Sequence, residues 1–113
     1  MSMQDKRSDR IANNLTPFIP VHPGTVLRDE LRARGISQRR FASLMGLPPS
    51  QLNEIINGKR PLSAEHALMI EALLDISAVP LLRMQTDYNL QVARSDKPIM
   101  EKVRKLTVIA ASL

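Results

Sequence analysis

The sequence has 113 residues, of which 43% are hydrophobic, so it can form one domain with a single modest core. It contains no cysteine, which excludes a disulfide framework, a thiolate metal site and a thiol nucleophile and favours a reducing compartment. No stretch approaches the ~20 consecutive apolar residues that span a membrane, and residues 1–14 lack the apolar run of a secretory signal. We therefore expect a cytoplasmic protein without a membrane segment.

The net charge of +5 is unevenly distributed along the chain. Residues 24–60 sum to +4, whereas residues 61–101 sum to −3. A single acid, Glu54, accompanies the cations of the stretch that starts at Arg34, namely Arg34, Arg39, Arg40, Lys59 and Arg60. A solvated surface is the simplest explanation of a basic chain. However, a basic stretch followed by an acidic one indicates two partners of opposite sign.

The first 34 residues predict a polar arm, an extended segment and one helix. Residues 1–14 are polar and charged, and the three prolines of residues 15–23 disfavour helical geometry in the residues before them. We therefore predict an N-terminal arm over residues 1–23, extended at its end. The first helix runs from about Gly24 to Arg34 and ends at Gly35, with Leu27 and Leu31 one turn apart.

Two short helices follow, joined at a glycine. Ser37 is a suitable cap for the second helix, on which Phe41, Leu44 and Met45 have the spacing of an inward face. Gly46 ends that helix, and Pro49 suits the first turn of the third. The core face of the third helix is Leu52, Ile55 and Ile56, and the sequence NGKRP ends it.

The remainder of the chain is also predicted to be helical. A fourth helix opens after Ser63, and a fifth runs from about Pro80 to Arg94. A last amphipathic segment from Pro98 onward places apolar residues along one face, at Ile99, Val103, Leu106 and Ala110. We therefore predict an all-α fold with a helix-turn-helix domain over residues 24–94 and a C-terminal helical extension over residues 95–113.

The second and third helices have the features of a helix-turn-helix pair. Ala42 is small enough for a close helix crossing, and Gly46 suits the left-handed turn position. The outward polar residues would then be free to meet DNA. Any small helical bundle contains such hairpins, and a polar face can serve hydration alone. The local excess of cations and the amide side chains at the start of the third helix favour DNA binding.

Three stretches carry a resemblance to a known family: HPGTVLRDEL, GISQRRFASLMGLPPSQLNEIINGKRPLSAEHALMIEALL and LLRMQTDYNLQVA. Over about residues 22–94 the chain resembles the HigA-type antitoxins of the Xre helix-turn-helix superfamily. This resemblance implies a lambda-repressor-like domain of five to six helices and a homodimer that binds double-stranded operator DNA. It also implies a second partner, a small basic HigB-like toxin with a RelE-type ribonuclease fold.

The chain departs from the family in one segment. Where the family usually has Phe-Trp-Leu, this chain reads Pro80, Leu81 and Leu82, and it contains no tryptophan. Helix-five packing and dimer geometry therefore stay open. Dimer candidates on that helix are Leu81, Leu82, Tyr88 and Val92, and a place in the monomer core is an equally good explanation for them.

The resemblance assigns DNA contacts to particular residues. Gln38 takes a phosphate-clamp position at the start of the second helix, near free backbone amides. Pro49, Ser50 and Gln51 open the recognition helix. Gln51 is the best base-reading candidate because an amide can pair bidentately with adenine. Ser50 can bind a base edge or a phosphate, whereas Pro49 offers only van der Waals contact.

The outward face continues beyond those residues. Asn53 and Glu54 follow on the same helix; Glu54 can accept from cytosine but repels phosphate, so a structural role is equally open. The phosphate-contact segment after the helix corresponds to Asn57, Lys59 and Arg60. Arg39 and Arg40 can add backbone contacts, although an exposed arginine pair is as often merely solvated.

The acidic segment and the arm predict how a second partner would bind. The acids of residues 61–101 could steer a cationic toxin, and the arm offers apolar side chains for an extended contact. The acids are Glu65, Glu71, Asp75, Asp87, Asp96 and Glu101; the arm residues are Leu15, Phe18, Ile19 and Val21. Alternatively, the arm packs on its own domain and the acids only maintain solubility.

Other chemistry has little support in the sequence. The two histidines, His22 and His66, are expected on the surface before the first helix and in the first turn of the fourth, and not as metal ligands. No nucleophile–base set or phosphate loop is visible, so we expect no enzyme, metal or cofactor. Three functions remain open: an autorepressing antitoxin, a stand-alone Xre regulator without a toxin, and a protein-interaction adaptor that no longer binds DNA.

Overall fold

Six α-helices build the part of the chain that this computed structural model describes, residues 21–113. They are α1 (Pro23–Arg34), α2 (Gln38–Met45), α3 (Pro49–Ile56), α4 (Ala64–Leu74), α5 (Ala78–Arg94) and α6 (Lys97–Ala110). No strand occurs within residues 21–113, and the predicted all-α fold is confirmed. Most of the predicted N-terminal arm, residues 1–20, lies outside the described residues.

Local capping chemistry determines where the helices begin and end. Gly35 and Gly46 end α1 and α2 with φ of 69° and 73°, the left-handed geometry that glycine adopts without a Cβ clash. Ser37 Oγ accepts from the Arg40 amide at 3.1 Å, and Ser63 Oγ accepts from the His66 amide at 3.1 Å. These predicted ends are confirmed. The fifth helix starts at Ala78, two residues before the predicted position, with Pro80 in its first turn.

The hydrophobic core lies where α1 to α5 meet. Phe41, Ala42 and Leu52 are fully buried at the contact of α2 with α3. The predicted inward position of Leu44 is wrong, since this side chain is 53% exposed. Because Ala42 brings α2 close to α3, the packed face of α2 is centred between Phe41, Ala42 and Met45, and Leu44 falls outside that arc.

The first turn of α1 lies directly against the end of α3. A Cβ placed on Gly24 would lie 2.2 Å from the Ile55 carbonyl oxygen and 2.7 Å from that of Ile56. Neither backbone oxygen can move away without displacing α3, so glycine is required here by the close approach of two helices. This contact positions α3 from the side opposite to its exposed face.

The last helix lies outside the core. α6 packs on α5, and none of its side chains is buried. The division into a helix-turn-helix domain at residues 24–94 and a C-terminal extension at residues 95–113 stays a prediction. None of the helices between residues 21 and 113 combines the length and the hydrophobicity needed to cross a bilayer.

Candidate nucleic-acid interface

A continuous chain of amide side chains joins α2, α3 and the residue after α3. Asn57 Nδ2 donates to Asn53 Oδ1 at 3.1 Å, and Asn53 Nδ2 donates to Gln38 Oε1 at 3.2 Å. All three are surface groups: Asn53 and Asn57 are exposed, and Gln38 is half-buried. The structure therefore joins the predicted phosphate clamp on α2 by hydrogen bonds to one predicted contact on α3 and to another directly after it.

The first turn of α3 begins without a side-chain cap, so no capping side chain occupies the backbone amides next to its polar residues. Pro48 is the N-cap residue and forms no side-chain hydrogen bond, and Pro49, which is exposed, occupies the first position of the helix. Ser50 is exposed on the side opposite to Leu52, whereas Gln51 is half-buried. Ser50 thus lies near the middle of the outward face and Gln51 at its edge.

The predicted contact residues Glu54 and Arg60 form an ion pair with each other. Arg60 donates from Nε and Nη2 to Glu54 Oε1 at 2.9 and 2.7 Å. A turn at Gly58 makes this possible, because the Lys59 and Arg60 amides both fold back to the Glu54 carbonyl at 2.8 and 3.2 Å. The Arg60 guanidinium is therefore neutralised locally, which the sequence alone did not predict.

The remaining cations of the basic stretch differ in whether other groups of the protein bind them. Lys59, Arg39 and Arg40 are exposed and have no ion-pair partner within residues 21–113. Arg34 does not belong with them: it pairs with Glu30 at 3.2 Å and donates to the Leu74 carbonyl at 2.8 Å. Its charge stabilises the C-terminal end of α4 instead of facing DNA.

His22 is a buried capping residue, and its predicted surface position is wrong. Its side chain is 6% exposed, and Nδ1 accepts from the Gly24 amide at 2.9 Å as the N-cap of α1. Its ring meets Tyr88 edge-to-face with centroids 4.9 Å apart and lies 3.5 Å from the position of a Cβ on Gly58. A histidine directly before a proline at the first helical position was the available signal for this role. His66, half-buried in the first turn of α4, is where the sequence places it.

Burial lowers the pKa of His22, because an imidazolium would lose its hydration there. The Arg60 backbone opposes this shift without reaching hydrogen-bond geometry with Nε2. The neutral ring is also the form that leaves Nδ1 free to accept from Gly24. His22 thus joins α1, the turn after α3 and α5 as a neutral side chain.

Gln85 on α5 holds the segment between α3 and α4. Its Oε1 accepts from the Leu62 amide at 2.8 Å, and its Nε2 donates to Asn89 Oδ1 at 2.9 Å. A buried amide satisfied in this way is costly to replace. Gln85 and Tyr88 therefore pack on their own domain and position the turn that carries Lys59, a role that the sequence did not indicate.

The four dimer candidates on α5 differ in how deeply their side chains are buried. Leu81 is 4% exposed within the core, so its assignment to a dimer interface is corrected: it could reach a partner only if the core opened. Leu82 is half-buried against the same core, and Tyr88 is half-buried on His22. Val92, 47% exposed, is the member of this set that is available to a second chain.

Comparison with known proteins agrees with this architecture. Residues 27–81 match the helix-turn-helix family. Virulence-associated protein I from Dichelobacter nodosus is 33% identical over 94 residues, which are 82% of this chain and 87% of the relative. An addiction module antidote protein of the HigA family from Coxiella burnetii has a TM-score of 0.67 at 27% identity, covering 78% of this chain and 95% of that one.

A further solved structure combines this fold with DNA. The Pseudomonas aeruginosa antitoxin HigA, solved with the higBA promoter, has a TM-score of 0.64 at 32% identity and covers 68% of this chain and 85% of that one. The chain therefore belongs to the Xre-type helix-turn-helix family, in which its structural neighbours are HigA-type antidote proteins.

Proposed function

We propose that this protein is an antitoxin that binds its own operator as a dimer and represses its promoter. The observation that carries the proposal is the amide chain from Gln38 through Asn53 to Asn57, followed by Lys59, which is exposed and has no ion-pair partner within residues 21–113. Amide and cationic side chains fixed on the outer side of a helix-turn-helix pair are the groups that contact phosphates and base edges.

Each part of this face has its own task on DNA. Gln38, at the N-terminal end of α2, binds a backbone phosphate and sets the register of the domain. Ser50, Gln51 and Asn53 face the base edges of the major groove. Lys59, Arg39 and Arg40 bind phosphates on either side, which supplies affinity without regard to sequence.

The operator is expected to be a pseudo-palindrome occupied by two copies. One recognition helix buries too little surface for tight binding, so a two-fold dimer is needed. Its two half-sites should lie about one helical turn apart, ~34 Å centre to centre. A protein that stays monomeric at micromolar concentration and protects one asymmetric site would contradict this.

The second proposed partner is a small basic toxin with a RelE-type ribonuclease fold. The acids of residues 61–101 are distributed over α4, α5 and the start of α6. They include Glu65, Asp75 and Asp87, which are all exposed. A ribonuclease is itself cationic because its substrate is a polyanion, so opposite charge would speed association. The antitoxin would block RNA cleavage by occlusion, and the apolar residues before α1 would extend the contact.

Co-expression with the product of the adjacent gene tests the toxin proposal. Gel filtration should give a stable complex, and the antitoxin should rescue the growth of cells that express the toxin. Deleting residues 1–21 should weaken toxin binding more than operator binding. If no complex and no rescue are found while operator binding persists, the protein is a stand-alone regulator. If sequence-specific DNA retention is also lacking, it is an adaptor.

A further inference from the structure

The outward face of α4 is apolar although the described part of the chain leaves it uncovered. Ala67, Ile70 and Leu74 point into the core, yet the opposite side carries Leu68, Met69 and Leu73, which are 58, 39 and 40% exposed. A helix that is apolar all round is usually buried on all sides. The charged groups exposed beside this face are acids, Glu65 and Asp75.

The C-terminal helix α6 also exposes an apolar stripe, but the charged residues around that stripe are mainly cations and not acids. Ile99, Val103 and Leu106 lie at spacings of four and three residues, which forms a straight stripe along α6. All three are exposed, at 46, 44 and 52%. The polar sides of α6 are mainly cationic, with Lys97, Lys102, Arg104 and Lys105 against the single acid Glu101.

We propose that α6 of one copy lies on the outer face of α4 of a second copy, and that the exchange is mutual. Pairing α6 with α6 would bring cations together, and pairing α4 with α4 would bring acids together, whereas the crossed pairing opposes unlike charges. The turn at Ser95 and Asp96 sets α6 against α5 of its own chain, so we assign the cover of α4 to α6 of a second copy.

Each copy contributes one α4 face and one α6 stripe, so the mutual exchange covers all four apolar surfaces of the dimer. The two contacts are related by one two-fold axis, as an isologous interface requires. This arrangement rests on the dimer of the proposed function and specifies its interface. It also explains why α6 contains an apolar stripe without a buried side chain: the stripe is the part of the interface that each copy contributes to the other.

Sedimentation equilibrium of the full chain tests the interface with matched variants. Val103→Asp on the stripe and Leu68→Asp on α4 should each raise the dissociation constant of the dimer at least about tenfold. Both side chains are exposed in the single chain, so circular dichroism at a concentration at which the protein is monomeric should be unchanged. Val108→Asp, on the far side of the same helix and 66% exposed, is the control and should leave the dimer intact.

Crosslinking identifies the pairing directly, because the chain contains no cysteine of its own. A mixture of Val103→Cys with Leu68→Cys or Leu73→Cys should give a heterodimeric adduct with a short bismaleimide. An efficient homodimeric adduct of Val103→Cys alone would mean α6–α6 pairing and would overturn the proposal. So would a Leu68→Asp protein that remains dimeric but no longer binds the toxin, since α4 would then be the toxin surface.

The failure of this interface can be told apart from the failure of the proposed function. If Val103→Asp remains dimeric and still binds the operator, the interface is wrong and the repressor stands. If deletion of residues 1–20 abolishes the dimer while Val103→Asp and Leu68→Asp leave it intact, the arm forms the interface and the α4–α6 pairing is likewise wrong. If the wild-type protein shows no operator preference, the proposed function fails, whatever the state of the dimer.

Discussion

Arg60 folds back onto Glu54, and its guanidinium donates two hydrogen bonds, at 2.9 and 2.7 Å, to one carboxylate oxygen of the recognition helix. A cation expected to bind phosphate is thereby neutralised by an anion expected to repel it. The pair lies at the end of α3 with both side chains about half exposed, so Glu54 restrains Arg60 at the surface of the protein. This face thus has one fewer cation free to contact phosphate than the sequence suggests.

Glu54→Gln should free Arg60 for a phosphate. We expect tighter binding to random duplex DNA and a slope of log K against log salt that is steeper by about 0.9, because one more phosphate is neutralised. Fluorescence anisotropy at several salt concentrations measures both quantities. The double variant Glu54→Gln, Arg60→Ala is the control and should return the slope toward the wild-type value. An unchanged slope in the single variant would mean that the pair does not restrain Arg60.

Lys59→Ala should weaken binding to operator and random DNA alike. Lys59 has an exposed ammonium with no ion-pair partner among residues 21–113, so it can neutralise a phosphate without first breaking a contact. Its loss should reduce the magnitude of the salt slope by about 0.9. Arg83→Ala on α5, where the side chain is also exposed, controls for the loss of one positive charge. Equal effects of the two variants would show that Lys59 acts only through overall charge.

Gln51→Ala should relax base preference at one operator position. The loss of an amide that pairs bidentately with adenine costs roughly 1 to 3 kcal/mol on the operator, with little effect on random DNA. Competition binding against operators substituted at single positions locates the base. Because Gln51 lies at the edge of the outward face, Ser50→Ala is the matched comparison. Equal losses on operator and random DNA would make Gln51 a positioning residue.

Acidification should destabilise the fold through His22. Its folded pKa is lowered by burial, so below the ordinary value of 6.5 the unfolded chain binds a proton more readily than the folded one. This part of the stability is present at neutral pH and is lost as the pH falls below that value. Urea unfolding between pH 7.5 and 5 should show a steeper decline for wild type than for His22→Asn, which can still cap α1. Parallel declines would contradict the role of His22.

Gly24→Ala should lower the free energy of unfolding by about 1 to 3 kcal/mol, because its Cβ would lie 2.2 Å from a backbone oxygen of α3. Gly35→Ala is the control: its Cβ would meet nothing within 4 Å, and only its φ of 69° opposes the change, by about 1 to 2 kcal/mol. Operator affinity should fall for Gly24→Ala alone, since α3 must shift. If both variants retain wild-type affinity, the close approach does not position α3.

The ends of the helices could be predicted from local sequence signals. The roles that the sequence did not predict depend on contacts between residues that are distant along the chain. Ser37, Gly46 and Ser63 act on neighbouring residues, so their roles could be predicted from the sequence. His22 is buried by Tyr88, which is 66 positions later, and Gln85 bonds Leu62 across 23 positions. No local pattern contains these pairings. Leu81 was ambiguous for the same reason, because an apolar residue on a helix face fits either a core or an interface.

The candidate site was predicted at the level of its residues but not of their connections. Gln38, Asn53 and Asn57 were each assigned through the family resemblance. The hydrogen bond between Asn53 and Gln38 depends on the angle at which α2 crosses α3, which Ala42 permits but does not specify. The pairing of Arg60 with Glu54 depends on the turn at Gly58 in the same way.

The most direct test of the central claim is a binding titration of the purified protein on two duplexes of equal length at physiological salt. One duplex is the promoter region upstream of its own gene, and the other is that sequence shuffled. We predict that the promoter is bound at least about 10³-fold more tightly, with a protected region of two half-sites one helical turn apart. Equal affinity for the two duplexes, or no binding to either, would contradict the claim that the α2–α3 face reads an operator.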